Sequence, residues 1–528
     1  MLDFIKKIFN FITGLFVKSN DSVFILNNKP TTQYLQDPTL PNLKRKIVLT
    51  PPAFSNFTVR NLTSTGNAIN TSVWQSENVY ANINSSLGFT KKYFPVTLKR
   101  WAATSNLIVL PRAGFDANAY YDRSTLSFFY FNDSNNKRIY TCDSSDVVIH
   151  ELGHAILDAI RPDFWSAASF EIGAFHEAFG DINAILTSLN YDLILNQLLS
   201  STGNDLRKEN IVSDLAEQFG KALNIGNSLR DCYNTYSYVD PNTLPYDGEG
   251  LIQEVHSFAE VFTGTFYELL TEFYEFFGKN KAALIKARDL SAEFIFNAIR
   301  TTPATGKFFM AIAKNYLAYD ISKYKGAYKN ILTKVFTNRK LITTPMVESL
   351  SDEKIKILST DDENILFKEE RIMSLNCAEF GVEDICGFEN INVQVPADSF
   401  KPKNGMFNVL SVNHDEDESA TEVKSFVKYL INKKDIGNVK QSWFVDKKTK
   451  ILMRRHACCG DFGFINNCTI EGQPEYGKCW KPENNSGCCP YGCPTPAPEP
   501  TPAKPVCSVS YNSCNGGVYK VCNSLKRV

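Results

Sequence analysis

The chain has 528 residues, 43% of them hydrophobic, enough for two or three cores rather than one. Its 56 basic and 57 acidic residues leave a net charge of -1, so no global field draws it to nucleic acid or to an anionic surface. No apolar run reaches the roughly 18 residues that a spanning helix needs, which argues against a transmembrane helix and leaves partner choice to a local site.

Residues 1–20 open with MLDFIKKIFNFITGLFVK, where Leu2, Ile5, Ile8, Phe9, Ile12, Leu15 and Phe16 share one helical stripe and Asp3, Lys6, Lys7 and Asn10 stand off it. This predicts an amphipathic segment able to touch a membrane peripherally. Asn10 and Thr13 interrupt the apolar run and no small-residue cleavage site comes after it, so an uncleaved segment is favoured over a signal peptide. Residues 21–146 are rich in Val, Thr, Tyr, Phe and Asn with frequent turn residues, as in SNLIVLPRAGF and STLSFFYFND, and predict a β-rich lobe. From 147 to 345 the periodicity becomes helical in VVIHELGHAILDAI, FEIGAFHEAFGDINAILTSL and VHSFAEVFTGTFYELLTEFYEFF. The stripe Phe258, Phe262, Phe266, Phe273 and Phe277 reads as core packing.

Residues 346–456 return to mixed patterning, with a hairpin-like SWFVDKKTKILMRR, and predict a small α+β accessory domain in which Cys377 and Cys386 lie close enough to pair. Cys142 and Cys232 could bridge the two lobes or remain buried thiols. Of the 14 cysteines, ten fall between Cys458 and Cys522 in sequence too poor in apolar residues to build a core. That pattern predicts a disulfide-stapled module at 457–494 in preference to a structural zinc site, for which no paired CxxC spacing exists. TPAPEPTPAKP at 495–505 predicts an extended linker, and 506–528 a short cysteine-containing tail. The cysteine usage implies an oxidising destination, by secretion or in a virus particle.

The chemistry concentrates in DVVIHELGHAILD. On a helix, His150 and His154 stand four apart and aim both imidazoles at one ion. Glu151, beside the first ligand, can reach a metal-bound water without ligating, as a general base must. HExxH alone recurs by chance, but GAFHEAFGD adds Glu177 as a third ligand and, one turn later, Asp181 as an acceptor for the outer N–H of a ligating histidine. Two histidines and a glutamate leave one open position on a catalytic zinc. The pattern with glycine and histidine at the third and sixth positions after His154 is excluded by Leu157 and Ile160.

DVVIHELGH, GAFHEAFGD and EVHSFAEVFTGTFYEL come in the order they have in the thermolysin family, which the chain resembles over about residues 100–320. The resemblance implies an α+β fold: a two-lobed catalytic unit with a β-rich N-terminal and a helical C-terminal lobe, here trailed by a small α+β domain and a disulfide-rich tail. It implies one catalytic zinc on His150, His154 and Glu177, with Glu151 catalytic and Asp181 supporting a ligand. It also implies His256 at the oxyanion, Arg230 on a substrate carbonyl, and Asn118 and Ala119 of FDANAYYD holding the substrate backbone as an added strand. Three departures stand out. RPDFWSAAS lengthens the step from His154 to Glu177, and Gln253-Glu254 replace a usual glycine pair before His256. Asp146 is retained from the family's acidic calcium cluster, but INAILTSLN comes after Asp181, so no calcium is predicted. The resulting expectation is a zinc endopeptidase acting on peptide or protein substrates. The alternative is a catalytically weak zinc-bound scaffold that presents the Cys-rich module for adhesion or assembly.

Overall fold

The computed structural model describes residues 29–53, 55–93, 100–348, 371–395, 416–437 and 441–458. The amphipathic N-terminal segment, the Pro-rich linker, the tail and all but the first residues of the Cys-rich module lie outside the described residues.

The fold is mixed α and β. Strands β1 (Thr31–Tyr34) and β2 (Lys44–Ile47) form an antiparallel pair. Strands β3 (Phe57–Val59), β4 (Leu107–Leu110), β5 (Ala119–Tyr121) and β6 (Thr125–Phe128) build most of a five-stranded sheet, and β7 (Tyr130–Asn132) and β8 (Arg138–Tyr140) a second hairpin. The sheet runs β15-β5-β6-β4-β3: β3, β4 and β6 are parallel, β5 is antiparallel to β6, and β15 (Ala457–Cys458) returns from the far end of the described chain to pair antiparallel with β5.

One long helix interrupts the stretch that reads as β-rich. Helix α1 (Ser72–Thr90) has 19 residues and is N-capped by Thr71, whose side chain accepts from Trp74 N. Its buried residues include Gln75, Glu77, Asn78, Asn82 and Ser86. Most of these polar groups bond to other segments: Gln33 Nε2 donates to Asn82 Oδ1 at 2.7 Å, Tyr34 N to Asn78 Oδ1 at 2.9 Å, and Gln75 Nε2 to Asp143 Oδ1 at 2.7 Å. A helix buried on several sides through hydrogen-bonded polar residues carries no clean apolar stripe, so its periodicity is hidden from a hydrophobicity reading.

From residue 145 to 348 the chain is dominated by helices: α2 (Ser145–Ile160), α3 (Phe170–Ser188), α4 (Asp192–Thr202), α5 (Glu217–Ala222), α6 (Val255–Phe277), α7 (Lys281–Thr301), α8 (Phe308–Tyr324), α9 (Lys329–Asn338) and α10 (Thr344–Glu348), with a short pair β9 (Asp214–Leu215) and β10 (Arg230–Asp231) between α4 and α6. Pro162 stands just past the end of α2, and α6 stops at Gly278, whose φ of 110° suits a residue without a Cβ. Four of the five phenylalanines of the α6 stripe are core as expected, and Phe277 is half-buried against the core. Phe258, Phe262, Phe266 and Phe273 are buried, and Phe258 stacks on Phe309 at 5.3 Å.

The accessory stretch contributes β11 (Arg371–Asn376), β12 (Asn390–Val395), α11 (Glu416–Asn432), β13 (Trp443–Val445) and β14 (Leu452–Arg454). The SWFVDKKTKILMRR segment is the hairpin β13–β14, with Trp443 opposite Arg454. Cys377 and Cys386 do not pair. A short turn buries Cys377, whose thiol lies 3.2 Å from the Phe388 carbonyl, while Cys386 is exposed. Cys142 and Cys232 are buried free thiols, not a bridge.

Candidate active site

The zinc-ligand candidates stand on two helices that touch through glycines. A Cβ on Gly153 of α2 would lie 2.9 Å from Gly180 Cα, and one on Gly180 of α3 would lie 2.6 Å from the His150 ring. This contact brings the His150 and His154 face of α2 against the Glu177 and Asp181 face of α3. The two imidazole centroids are 4.8 Å apart.

Glu177 Oε2 lies 3.3 Å from His150 Nε2 and 3.5 Å from His154 Nε2. Zinc–ligand lengths of about 2.0–2.2 Å in a tetrahedron imply donor–donor edges of about 3.3–3.6 Å. The donor set therefore fits one zinc ion. Both ring nitrogens of buried His154 and both carboxylate oxygens of buried Glu151 make no hydrogen bond, a costly state for an interior unless an ion and its water are to be met there. Glu151 also lies within 4.8 Å of both histidines, but Glu177 is the carboxylate at ligand-edge distance from both Nε2 atoms.

Neighbours orient the set. His150 Nδ1 lies 2.9 Å from Asp181 Oδ1, and Arg230 Nε donates to the same oxygen at 3.0 Å, so Asp181 fixes the His150 tautomer while Arg230 holds Asp181. Arg230 Nη2 also stands 3.2 Å from His150 Nδ1. When Nδ1 carries its proton toward Asp181, that approach is a close contact and not a second hydrogen bond. His256 Nε2 lies 3.2 Å from Glu177 Oε2, which places it on the rim of the same centre.

Glu254 is a site residue that sequence reasoning missed. It N-caps α6 by accepting from Ser257 N at 2.8 Å, and its other oxygen lies 2.8 Å from His256 Nδ1. The carboxylate thus turns the far nitrogen of His256 toward Glu177, a task no glycine pair could perform. A cap glutamate two residues before a candidate histidine was the available signal.

The electrostatics separate the carboxylates. Burial pushes the Glu151 carboxyl up to about 8, against the pull of His150. Burial would also raise Glu177, but His154, His256 and the hydrogen bond from His150 outweigh it and hold the carboxyl well below its ordinary value. Asp181 is likewise buried yet lowered by Arg230 and His150. Burial lowers the His154 imidazole to about 4, leaving a neutral ring with a lone pair to offer. His176, buried with neither nitrogen bonded, is pushed well below its ordinary value and packs edge-on to Trp165 at 5.8 Å.

Asn118 and Ala119 lie at the start of β5. Asn118 O accepts from Phe129 N, and Ala119 pairs with Phe128 of β6. On the opposite edge β15 pairs with Tyr121 and Tyr120, next along the strand, and His456 stacks on Tyr120 at 5.2 Å. Asp146 is buried with Asp37 and Glu217 near it. Burial first, and their mutual repulsion second, raises Asp146 and Glu217, and Asp37 is raised by burial. Asp37 and Glu217 are neighbours of Asp146 that the segment after Asp181 does not foretell.

Two histidines and two glutamates on paired helices mark a zinc metallopeptidase of the HExxH type. The Fungalysin metallopeptidase (M36) family model matches residues 112–343, and over that span the chain is similar to that family. The matched span starts after β4, contains the whole His150–Glu177 centre with Arg230 and His256, and ends before the accessory strands. No curated protein matches the chain. Among the described residues no helix is long and apolar enough to cross a membrane.

Proposed function

We propose that this chain hydrolyses internal peptide bonds of peptide or protein substrates at a single zinc held by His150, His154 and Glu177. The observation that carries the reading is Glu177 Oε2 at tetrahedral-edge distance from both histidine Nε2 atoms, beside a Glu151 whose two oxygens have no other partner. Zinc in such a donor set lowers the pKa of a bound water and polarises a carbonyl oxygen. Glu151 takes a proton from the attacking water and returns it to the leaving amine. His256, turned by Glu254, and Arg230, held by Asp181, donate to the oxygen that gains charge as the carbonyl becomes tetrahedral. Asn118 and Ala119, at the start of β5 ahead of the two residues that β15 covers, hold the substrate backbone. The catalytic unit is two-lobed, with the sheet and α1 on the N-terminal side and α3–α10 on the other. The Cys-rich stretch from 457 onward supports delivery to an oxidising compartment, outside the cytosol.

The scaffold alternative is less favoured, since Glu151 beside the histidine pair keeps a proton acceptor where a metal-bound water would stand, which a purely structural zinc does not need. The test is metal content by mass spectrometry together with cleavage of a quenched peptide library, with and without a zinc chelator. One zinc per chain and chelator-sensitive cleavage are expected; zinc without cleavage would refute the peptidase reading.

A further inference from the structure

The two oxygens of Glu177 face different parts of the chain. Oε2 faces His150 and His154, whereas Oε1 accepts at 3.3 Å from Nη2 of Arg454, at the end of β14 and far outside the span that matches the peptidase family. Arg454 is a buried residue, with 7% of its side chain exposed, so its contact is shielded from solvent. Its guanidinium lies over the Trp165 ring at 5.1 Å, and Trp165 Nε1 donates to the Arg454 carbonyl at 3.0 Å. Trp165 belongs to RPDFWSAAS, the stretch that lengthens the step between α2 and α3. The same stretch meets the accessory strands again where Ala168 N donates to the Gln394 carbonyl at 3.2 Å. The backbone around Arg454 is held on both sides, by β13 before it and by the β15–β5 pairing after it.

We propose that Arg454 is a positioning residue of the zinc centre, supplied by the accessory segment, and that the metallopeptidase site is incomplete without it. The inference rests on the zinc-peptidase reading above. A buried carboxylate is free to turn about its last side-chain bond; a donor on one oxygen stops that rotation and leaves the other oxygen as the single ligand atom. A guanidinium suits this position because it can stack on an indole while its N–H groups donate in plane, to Glu177 and, through Nε at 3.3 Å, to the His456 carbonyl. The lengthened α2–α3 step thus has a use: it carries the indole on which Arg454 is seated.

The experiment compares the full chain with Arg454→Ala, Arg454→Lys and Trp165→Phe. It measures zinc affinity by chelator competition, and the melting temperature with and without zinc. Loss of an outer partner of a ligand weakens metal binding by about 10–100-fold, so Arg454→Ala should lose that much zinc affinity and most of the zinc-dependent rise in melting temperature. Arg454→Lys should recover part of the loss, and Trp165→Phe, which keeps a smaller aromatic face but not the indole N–H, should show a smaller loss of the same kind. Zinc affinity unchanged within twofold in Arg454→Ala would overturn the proposal. So would peptide turnover that rises in that variant, because Arg454 would then obstruct the site and not complete it. If Arg454→Ala does not fold, the Lys and Phe variants decide by the same affinity measurement. A wild-type chain that binds zinc tightly but cleaves no peptide would sink the peptidase reading and leave the affinity result standing; a wild-type chain without zinc would sink both.

Discussion

Glu151 and Glu177 are buried in one centre, and their neighbours separate their roles. Glu177 is held ionised by His154, His256 and His150, as its proposed ligand role requires, while Glu151 has no hydrogen-bond partner and its carboxyl is pushed up to about 8 by burial. Replacing Glu151 with Gln keeps the size of the side chain and removes only its capacity to accept a proton. Glu151→Gln should therefore retain one zinc per chain and lose turnover by about 10²–10⁴-fold; turnover within a few-fold of wild type would remove Glu151 from the mechanism. At this scale the ligand spacing was legible in the sequence, because residues four apart on a helix share a face. The Glu254–His256 contact had only a weak signal, a glutamate two residues before a candidate histidine, because it depends on where the chain turns into α6.

Between elements, the decisive contact is the glycine crossing of α2 and α3. A Cβ on Gly180 would meet the His150 ring at 2.6 Å, so the ring or the helix would have to move. Gly180→Ala should destabilise the chain by about 1–3 kcal/mol and weaken zinc binding, because displacing His150 also breaks its contact with Asp181. A Gly180→Ala chain with wild-type melting temperature and zinc affinity would show that the helices can part without cost. The two helices were readable from their periodicity, and the hairpin β13–β14 from its alternation. Helix α1 was not, since it is buried on several sides and one of them carries Gln75, Asn78, Asn82 and Ser86, which look like surface residues until their partners on β1, α3 and the turn before α2 are known.

For the molecule as a whole, one buried carboxylate ties stability to pH away from the zinc centre. Burial raises Glu171 to about 7 even though Phe309 N and the Tyr238 hydroxyl donate to it. Because the folded value lies above the ordinary 4.5, the stabilisation is complete below about pH 4.5 and is lost as pH rises through about 7. Glu171→Gln should then flatten the fall in melting temperature between about pH 5 and pH 8 relative to wild type. Parallel profiles for the two proteins would show that Glu171 titrates normally. Glu171 lies on α3 but reaches Phe309 at the start of α8, so its burial, like its effect, belongs to the packed assembly of helices.

The sequence by itself marked the candidate zinc ligands, the candidate general base and the aspartate behind His150. His150, Glu151 and His154 share one helix and Glu177 and Asp181 another, and within a helix a period of 3.6 residues converts spacing into geometry. It also marked the β13–β14 hairpin, whose partners are near in the chain. The tertiary structure alone decided the relations between distant segments: the glycine contact that joins the two ligand helices, the polar helix α1, the free state of Cys377 and Cys386, and Arg454 beside Glu177 across 277 residues of chain. No local pattern encodes such a pairing, because it exists only when packing has removed both side chains from water and brought them within reach of each other.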